Sequence, residues 1–228
     1  MKYLKSKTHH YQITIDGPAG SGKSTIAKLL TRELGFLYID SGAMYRAVTL
    51  YLTEKNLLNK SEKIIKSHLK KIKINFRKNK NGHIVILNNK DISKKIRSQI
   101  VNKSVSEVSA KKNIRQEMVK RQKKLAKDQF VVMDGRDIGT TVLPNAELKI
   151  YLTASPYIRA VRRKKDLTKL SEKISATELI KQIQKRDNID SSRTISPLSK
   201  AHDAIVIDST NLTISEVLKQ ISLLLPVK

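Results

Sequence analysis

The 228-residue chain contains no cysteine and no tryptophan. Without a thiol, disulfide cross-links, cysteine-ligated zinc or iron–sulfur centres and thiol nucleophiles are excluded, an absence that fits a reducing compartment. No charge-free stretch approaches the roughly 18 residues that cross a bilayer, and residues 1–12 carry charges where a signal peptide has an apolar core. The sequence therefore reads as a soluble, cytosolic protein with no membrane partner. Acidic residues are scarce as well: 20 Asp and Glu stand against 46 Lys and Arg, a net charge of +26. Such a surface attracts phosphates, whether in a nucleotide, a nucleic acid or an anionic membrane. Thirty-four of the cations are Lys, scattered among abundant Ile and Asn as solvated surface would be; the twelve Arg, with their rigid bidentate forks, are more informative. At 39% hydrophobic residues the chain builds a sizeable core, and its length suits one domain with room for an insert.

Periodicity places the elements. YQITID (11–16) is a short apolar run with β-branched residues, a buried strand, and after GPAGSGKST (17–25) the apolar residues Ile26, Leu29, Leu30 and Leu34 recur at helical spacing up to Gly35. FLYID (36–40) predicts a second strand, followed by a helix through Tyr45, Val48 and Leu52. Residues 61–97 are dense in Lys and Asn, and two alternating segments, 71–78 and 83–90, flank Asn81-Gly82, which predicts an antiparallel hairpin insert. Further on come a helix over 110–127, a strand at 130–133, a strand at 148–154 and a helix opened by Pro156. Ser175 to Glu178 and Thr213 to Glu216 match capping boxes, and AIVID (204–208) supplies the last strand. Strands alternating with helices predict an α/β fold, a parallel doubly wound sheet flanked by helices.

Gly17, Pro18, Ala19, Gly20, Ser21, Gly22, Lys23, Ser24 and Thr25 contain the pattern G-x-x-x-x-G-K-[ST] between a strand and a helix. Glycines let backbone N–H groups turn inward around phosphates, and the helix start aims its positive end at the same anion. Lys23 reaches the outer phosphates of ATP and Ser24 ligates Mg²⁺, the cofactor expected with it. Asp134, at the end of an apolar strand, is a second metal candidate; a hydrogen-bonded turn carboxylate is the alternative. The loop leaves the phosphoryl acceptor open: water, a protein hydroxyl or a small molecule. Arg46, Arg136, Arg159, Arg162, Arg163, Arg186 and Arg193 sit near predicted element ends, where open α/β sheets bind ligands, and a second anionic substrate needs such cations beside a triphosphate. A solvated helix face is the alternative for Arg159, Arg162 and Arg163. The five histidines lack mutual metal-ligand spacing and read as core or surface residues, and Tyr11 and Tyr45 read as packing residues.

Four blocks, 15–30, 38–48, 134–155 and 185–210, resemble the bacterial cytidylate kinases among P-loop nucleoside monophosphate kinases; SGAMYR, GRDIGT and RDNIDSSR with SPL are specific in combination. The resemblance implies transfer of the γ-phosphoryl of ATP to CMP or dCMP. It implies that Ser41, Gly42 and Arg46 form the acceptor loop, that Ser106, Arg115 and Asp137 read the base, and that Arg136 binds phosphate. Arg186, Asp190 and Arg193 contact the ribose and nucleotide, and Lys23, Arg136, Arg186 and Arg193 serve as catalytic cations. It further implies a core over about 11–60, 98–154 and 191–228, a nucleotide-binding insert over 61–97 and a lid over 155–190 bearing Arg159, Arg162 and Arg163. A monomer with no specific nucleic-acid partner is expected. UMP, AMP or shikimate as acceptor, and a basic RNA-associated NTPase, are the competing readings.

Overall fold

The computed structural model describes residues 10–79, 82–168 and 175–226. A central sheet is formed by β1 (Tyr11–Asp16), β2 (Leu37–Asp40), β6 (Phe130–Gly135), β7 (Leu148–Thr153) and β8 (Ile205–Asp208). The five strands run parallel in the order β2-β6-β1-β7-β8. Around them lie α1 (Lys23–Leu34), α2 (Ser41–Glu54), α4 (Gln99–Ala110), α5 (Lys112–Ala126), α6 (Pro156–Thr168), α7 (Ala176–Ser192) and α8 (Ile214–Leu223). Residues between α2 and α4 form α3 (Glu62–Leu69) and a small antiparallel sheet of β3 (Ile74–Asn79), β4 (Gly82–Leu87) and β5 (Lys90–Asp91). The paired Asn79 and Gly82 agree with the hairpin expectation, although Asn81 itself lies outside the described residues.

Strands covered on both faces read as continuous apolar runs, with alternate residues serving opposite layers. In β6, Val131 and Met133 enter the core shared with α2, α4, α5 and the insert, whereas Val132 joins Ile13, Ile15 and Leu30 on the other face with α1 and α8. The insert is welded to the first of these cores by Ile65, Leu69, Ile74, Val85 and Leu87.

Two helices were absent from the sequence expectation, α3 and α4. Val101, Val105 and Val108 of α4 are buried, so packing overrides the modest helix preference of a Ser- and Val-rich segment. Of the two capping boxes, the one at Thr213 is reciprocal. At Ser175 only half forms: its hydroxyl accepts from Glu178 N–H, but the Glu178 carboxylate accepts from Gln182 instead.

The register carries the acidic strand ends to one sheet edge, with Asp16 opposite Gly135 and Asp40 opposite Asp134. The loops after β1, β2 and β6 therefore open onto a common crevice beside β1, where the order of the sheet reverses, the position at which open α/β sheets bind ligands.

Candidate functional site

Gly17 leaves β1 with φ of 145°, and a Cβ there would stand 2.0 Å from the Leu152 carbonyl oxygen, so only glycine turns the chain here. The loop ends at Gly22, in the left-handed region with φ 96°, and α1 begins with no side-chain cap, which leaves its positive end facing the loop. Lys23 is buried; its Nζ donates to Pro18 O at 2.6 Å and to Ser21 Oγ at 3.2 Å. Burial, then the charge of Arg136, lowers its pKa well below the ordinary lysine value, with Asp134 and Asp16 opposing. The Ser24 hydroxyl donates to Asp134 Oδ2 at 2.7 Å, and Tyr38 OH donates to Oδ1 at 2.8 Å. Burial, reinforced by Asp40, raises Asp134 to about 6. These hydroxyl bonds set Asp134 beside Ser24, the pairing that both readings of this carboxylate require.

A set of guanidinium groups faces this loop. Arg136 and Arg186 both bear electrostatically on Lys23. Arg136 donates from Nε to Asp190 at 3.0 Å; burial opposes its charge, but Asp190 together with Asp187 and Asp134 raises the pKa. Arg186 is depressed to about 10 by burial and then by Arg136, and its buried Nε has no partner among the described residues. Arg46 donates to Ile96 O at 3.0 Å and Asn102 Oδ1 at 2.7 Å, and is lowered to about 9 by burial, Arg186 and Arg163. Arg136 and Arg186 are thus linked electrostatically to Lys23, and Arg46 to Arg186. Ser41 donates to Asp134 O at 2.7 Å, and Gly42 follows it in the first turn of α2, capped by Asp40 accepting from Ala43 N–H.

At the far end, Arg115 is completely buried. It pairs with Asp137 through NH2, donates to Ser109 O at 3.1 Å, and lies 5.3 Å from the Tyr45 ring. Arg193 donates to Ser196 O at 2.6 Å and Asp190 Oδ1 at 3.3 Å and stands 3.6 Å from Asp137. Arg115 Nε and Arg193 NH2 are buried here without hydrogen-bond partners among the described residues. Tyr45 packs in the core as expected, with its ring against the Arg115 guanidinium. Ser106 lies half-buried one turn before Ser109 and does not share the Arg115–Asp137 pair.

The three lid arginines separate. Arg159 donates to Ala154 O and Ala19 O and pairs with Asp187; Arg162 donates to Ser209 and Ser21 O. The charge of Arg163 bears on Arg46 and Arg186, lowering both. Sequence reasoning passed over Asp16, which accepts from Ile138 and Gly139 N–H groups, and Asp187, which accepts from Ala19 N–H. The signals were there: an acidic residue at the end of β1 as at the end of β6, and an Asp directly after Arg186.

A family model for cytidylate kinase matches residues 13–226, which include every side chain above. The chain belongs to the cytidylate kinase family. The cytidylate kinase of Oceanobacillus iheyensis is 49% identical over 209 residues, covering 92% of this chain and 91% of that one. The cytidylate kinase of Fusobacterium nucleatum is 46% identical over 210 residues, covering 92% and 94%. A solved structure of an uncharacterized protein from Eubacterium ventriosum aligns with TM-score 0.53 at 13% identity, covering 94% of this chain and 97% of that one, a likeness that bears on the fold alone. For this cytidylate kinase family member, the matched segment runs from β1 through α6 and α7 to α8.

Proposed function

We propose that the chain transfers the γ-phosphoryl group of ATP to CMP or dCMP. The observation that carries this reading is the half-buried cation field of Arg136 and Arg186 beside Lys23, with Arg46 next to Arg186, in which Arg46 and Arg186 are depressed by desolvation and by neighbouring guanidiniums. Keeping such charges together is costly unless an anion joins them. Two phosphate-bearing substrates set end to end supply it.

The loop Gly17–Thr25 takes the triphosphate. Arg46 and Arg186, with Ser41 and Gly42 at the start of α2, take the acceptor phosphate, for which a guanidinium fork is suited. Arg115 and Asp137 read the base: cytosine offers an amino donor beside two acceptors, which a carboxylate and guanidinium donors complement, whereas uracil reverses two of those groups. Ser106 is assigned to the same end, and Asp190 and Arg193 to the ribose side. Of the lid arginines, Arg163 is the one assigned to the transferring group, because Arg159 and Arg162 are engaged with backbone, Asp187 and Ser209.

An acceptor phosphate oxygen attacks the γ-phosphorus in line while the bond to the bridging oxygen breaks and ADP leaves. No side chain acts as nucleophile; Lys23, Arg136, Arg186 and Arg193 orient and neutralise charge. Mg²⁺ fits the donor set, since a hydroxyl and a carboxylate are hard oxygen ligands and this ion commonly adds substrate phosphates to one or two carboxylates. Ser24 and Asp134 would hold it, and when bound it supplies charge neutralisation along the triphosphate. Closure of the lid excludes water that would otherwise hydrolyse ATP. A cytosolic monomer without a nucleic-acid partner completes the reading, with light scattering as the check on subunit number.

ADP formation with CMP, dCMP, UMP, AMP, shikimate or RNA supplied separately tests the proposal. Stimulation by CMP and dCMP alone is expected. Equal or greater stimulation by another acceptor assigns the site to it, and stimulation by RNA alone replaces the kinase reading.

A further inference from the structure

We propose that Asp187 is a positioning residue that couples the triphosphate loop to the acceptor site, an inference that rests on assigning ATP and CMP to those two places. Its Oδ1 accepts from Ala19 N–H at 3.0 Å and its Oδ2 pairs with Arg159. Arg159 in turn donates to Ala19 O at 3.1 Å and, through Nε, to Ala154 O at 2.9 Å. One ion pair, with a partner from each of α6 and α7, therefore holds both the N–H and the C=O of a single loop residue. The fit is close: a Cβ at Gly20 would lie 3.0 Å from Arg159 O.

The neighbours of Asp187 give the clamp its consequence. Arg186 precedes it and belongs to the cation field; Asp190, three residues later and so on the same side of the helix, pairs with Arg136 and Arg193. Within five residues α7 thus touches the triphosphate loop and carries acceptor-site groups. α6 and α7 share a small apolar cluster of their own, Ala160, Leu179 and Ile183, separate from the two cores beside the sheet. Their register against those cores depends on polar ties, and a stiff helix tied at Ala19 moves Arg186 and Asp190 with the loop. Occupying the loop then sets the acceptor groups, and by linkage CMP sets the loop equally.

The test is calorimetry on the full chain, titrating CMP alone and in the presence of a saturating magnesium complex of an ATP analogue with a non-cleavable β–γ bridge. In the wild type the analogue should tighten CMP by at least about fivefold, the low end of ordinary coupling between sites. Asp187→Ala should bring that factor close to one while changing the affinity for CMP alone by less than about threefold, because the removed group couples the sites and touches neither substrate. Asp187→Asn keeps an acceptor for Ala19 N–H and should recover part of the factor, which a merely structural loss would not; it also carries the test if the alanine variant does not melt cooperatively. Undiminished coupling in Asp187→Ala overturns the proposal. So does loss confined to the affinity for CMP alone, or a wild type that binds both nucleotides without coupling. A wild type that binds no CMP removes the underlying substrate assignment instead.

Discussion

Arg136 sits where each charge in the site can be felt: it bears on Lys23 and Arg186 and pairs with Asp190. Arg136→Ala, assayed on folded protein, should lower turnover by roughly 10³-fold or more, about 4 kcal/mol of transition-state stabilisation, and a loss below tenfold contradicts the role. Asp137→Ala should reduce kcat/KM for CMP far more than it weakens ATP; equal losses on CMP and UMP reject base reading by the Arg115–Asp137 pair. Asp16 gives a pH test read on stability rather than on turnover. Burial raises it to about 6, against hydrogen bonds from Gly139 and Ile138 that lower it. The folded state then holds a proton that the unfolded chain has released, so this group's contribution to stability is lost as pH rises from about 4 through about 6. Relative to Asp16→Asn, the wild type should lose about 3 kcal/mol of unfolding free energy over that interval, measured by urea titration; a pH-independent difference contradicts it.

Among the elements, legibility followed local signals. The strand, glycine loop and helix from Tyr11 to Leu34 were readable because each residue's role there is set by its neighbours. α4 was not, since its Val101, Val105 and Val108 become helix-forming only against partners far along the chain. The Arg115–Asp137 pair, proposed to read the base, joins α5 to the segment just after β6 across 22 residues and has no spacing rule, so the resemblance supplied it. Asp187 was missed for the same reason, because its partners Ala19 and Arg159 lie 168 and 28 positions away. Where a device is local, its cost is also local. Thr213→Ala removes the hydroxyl half of the capping box on α8 and leaves the Thr213 backbone N–H donating to Glu216, at the start of an outer helix remote from the site residues in sequence. It should cost about 1 kcal/mol in denaturant unfolding with turnover unchanged; a fall in turnover would tie α8 to catalysis.

The whole molecule brings one sheet edge, a welded insert and the helices α6 and α7 around a crevice lined by cations. In the proposed function two anionic nucleotides lie end to end there, one held by the loop before α1 and the other by guanidiniums from α2, the segment after β6, and α7. Adenosine and cytidine joined through five phosphates span both places at once, and joining two ligands makes the second binding event intramolecular. Calorimetric titration with this compound should give one site per chain, binding at least about 100-fold tighter than ATP and strongly weakened in Arg136→Ala. Affinity no greater than that of an adenosine polyphosphate lacking the cytidine would contradict the end-to-end arrangement.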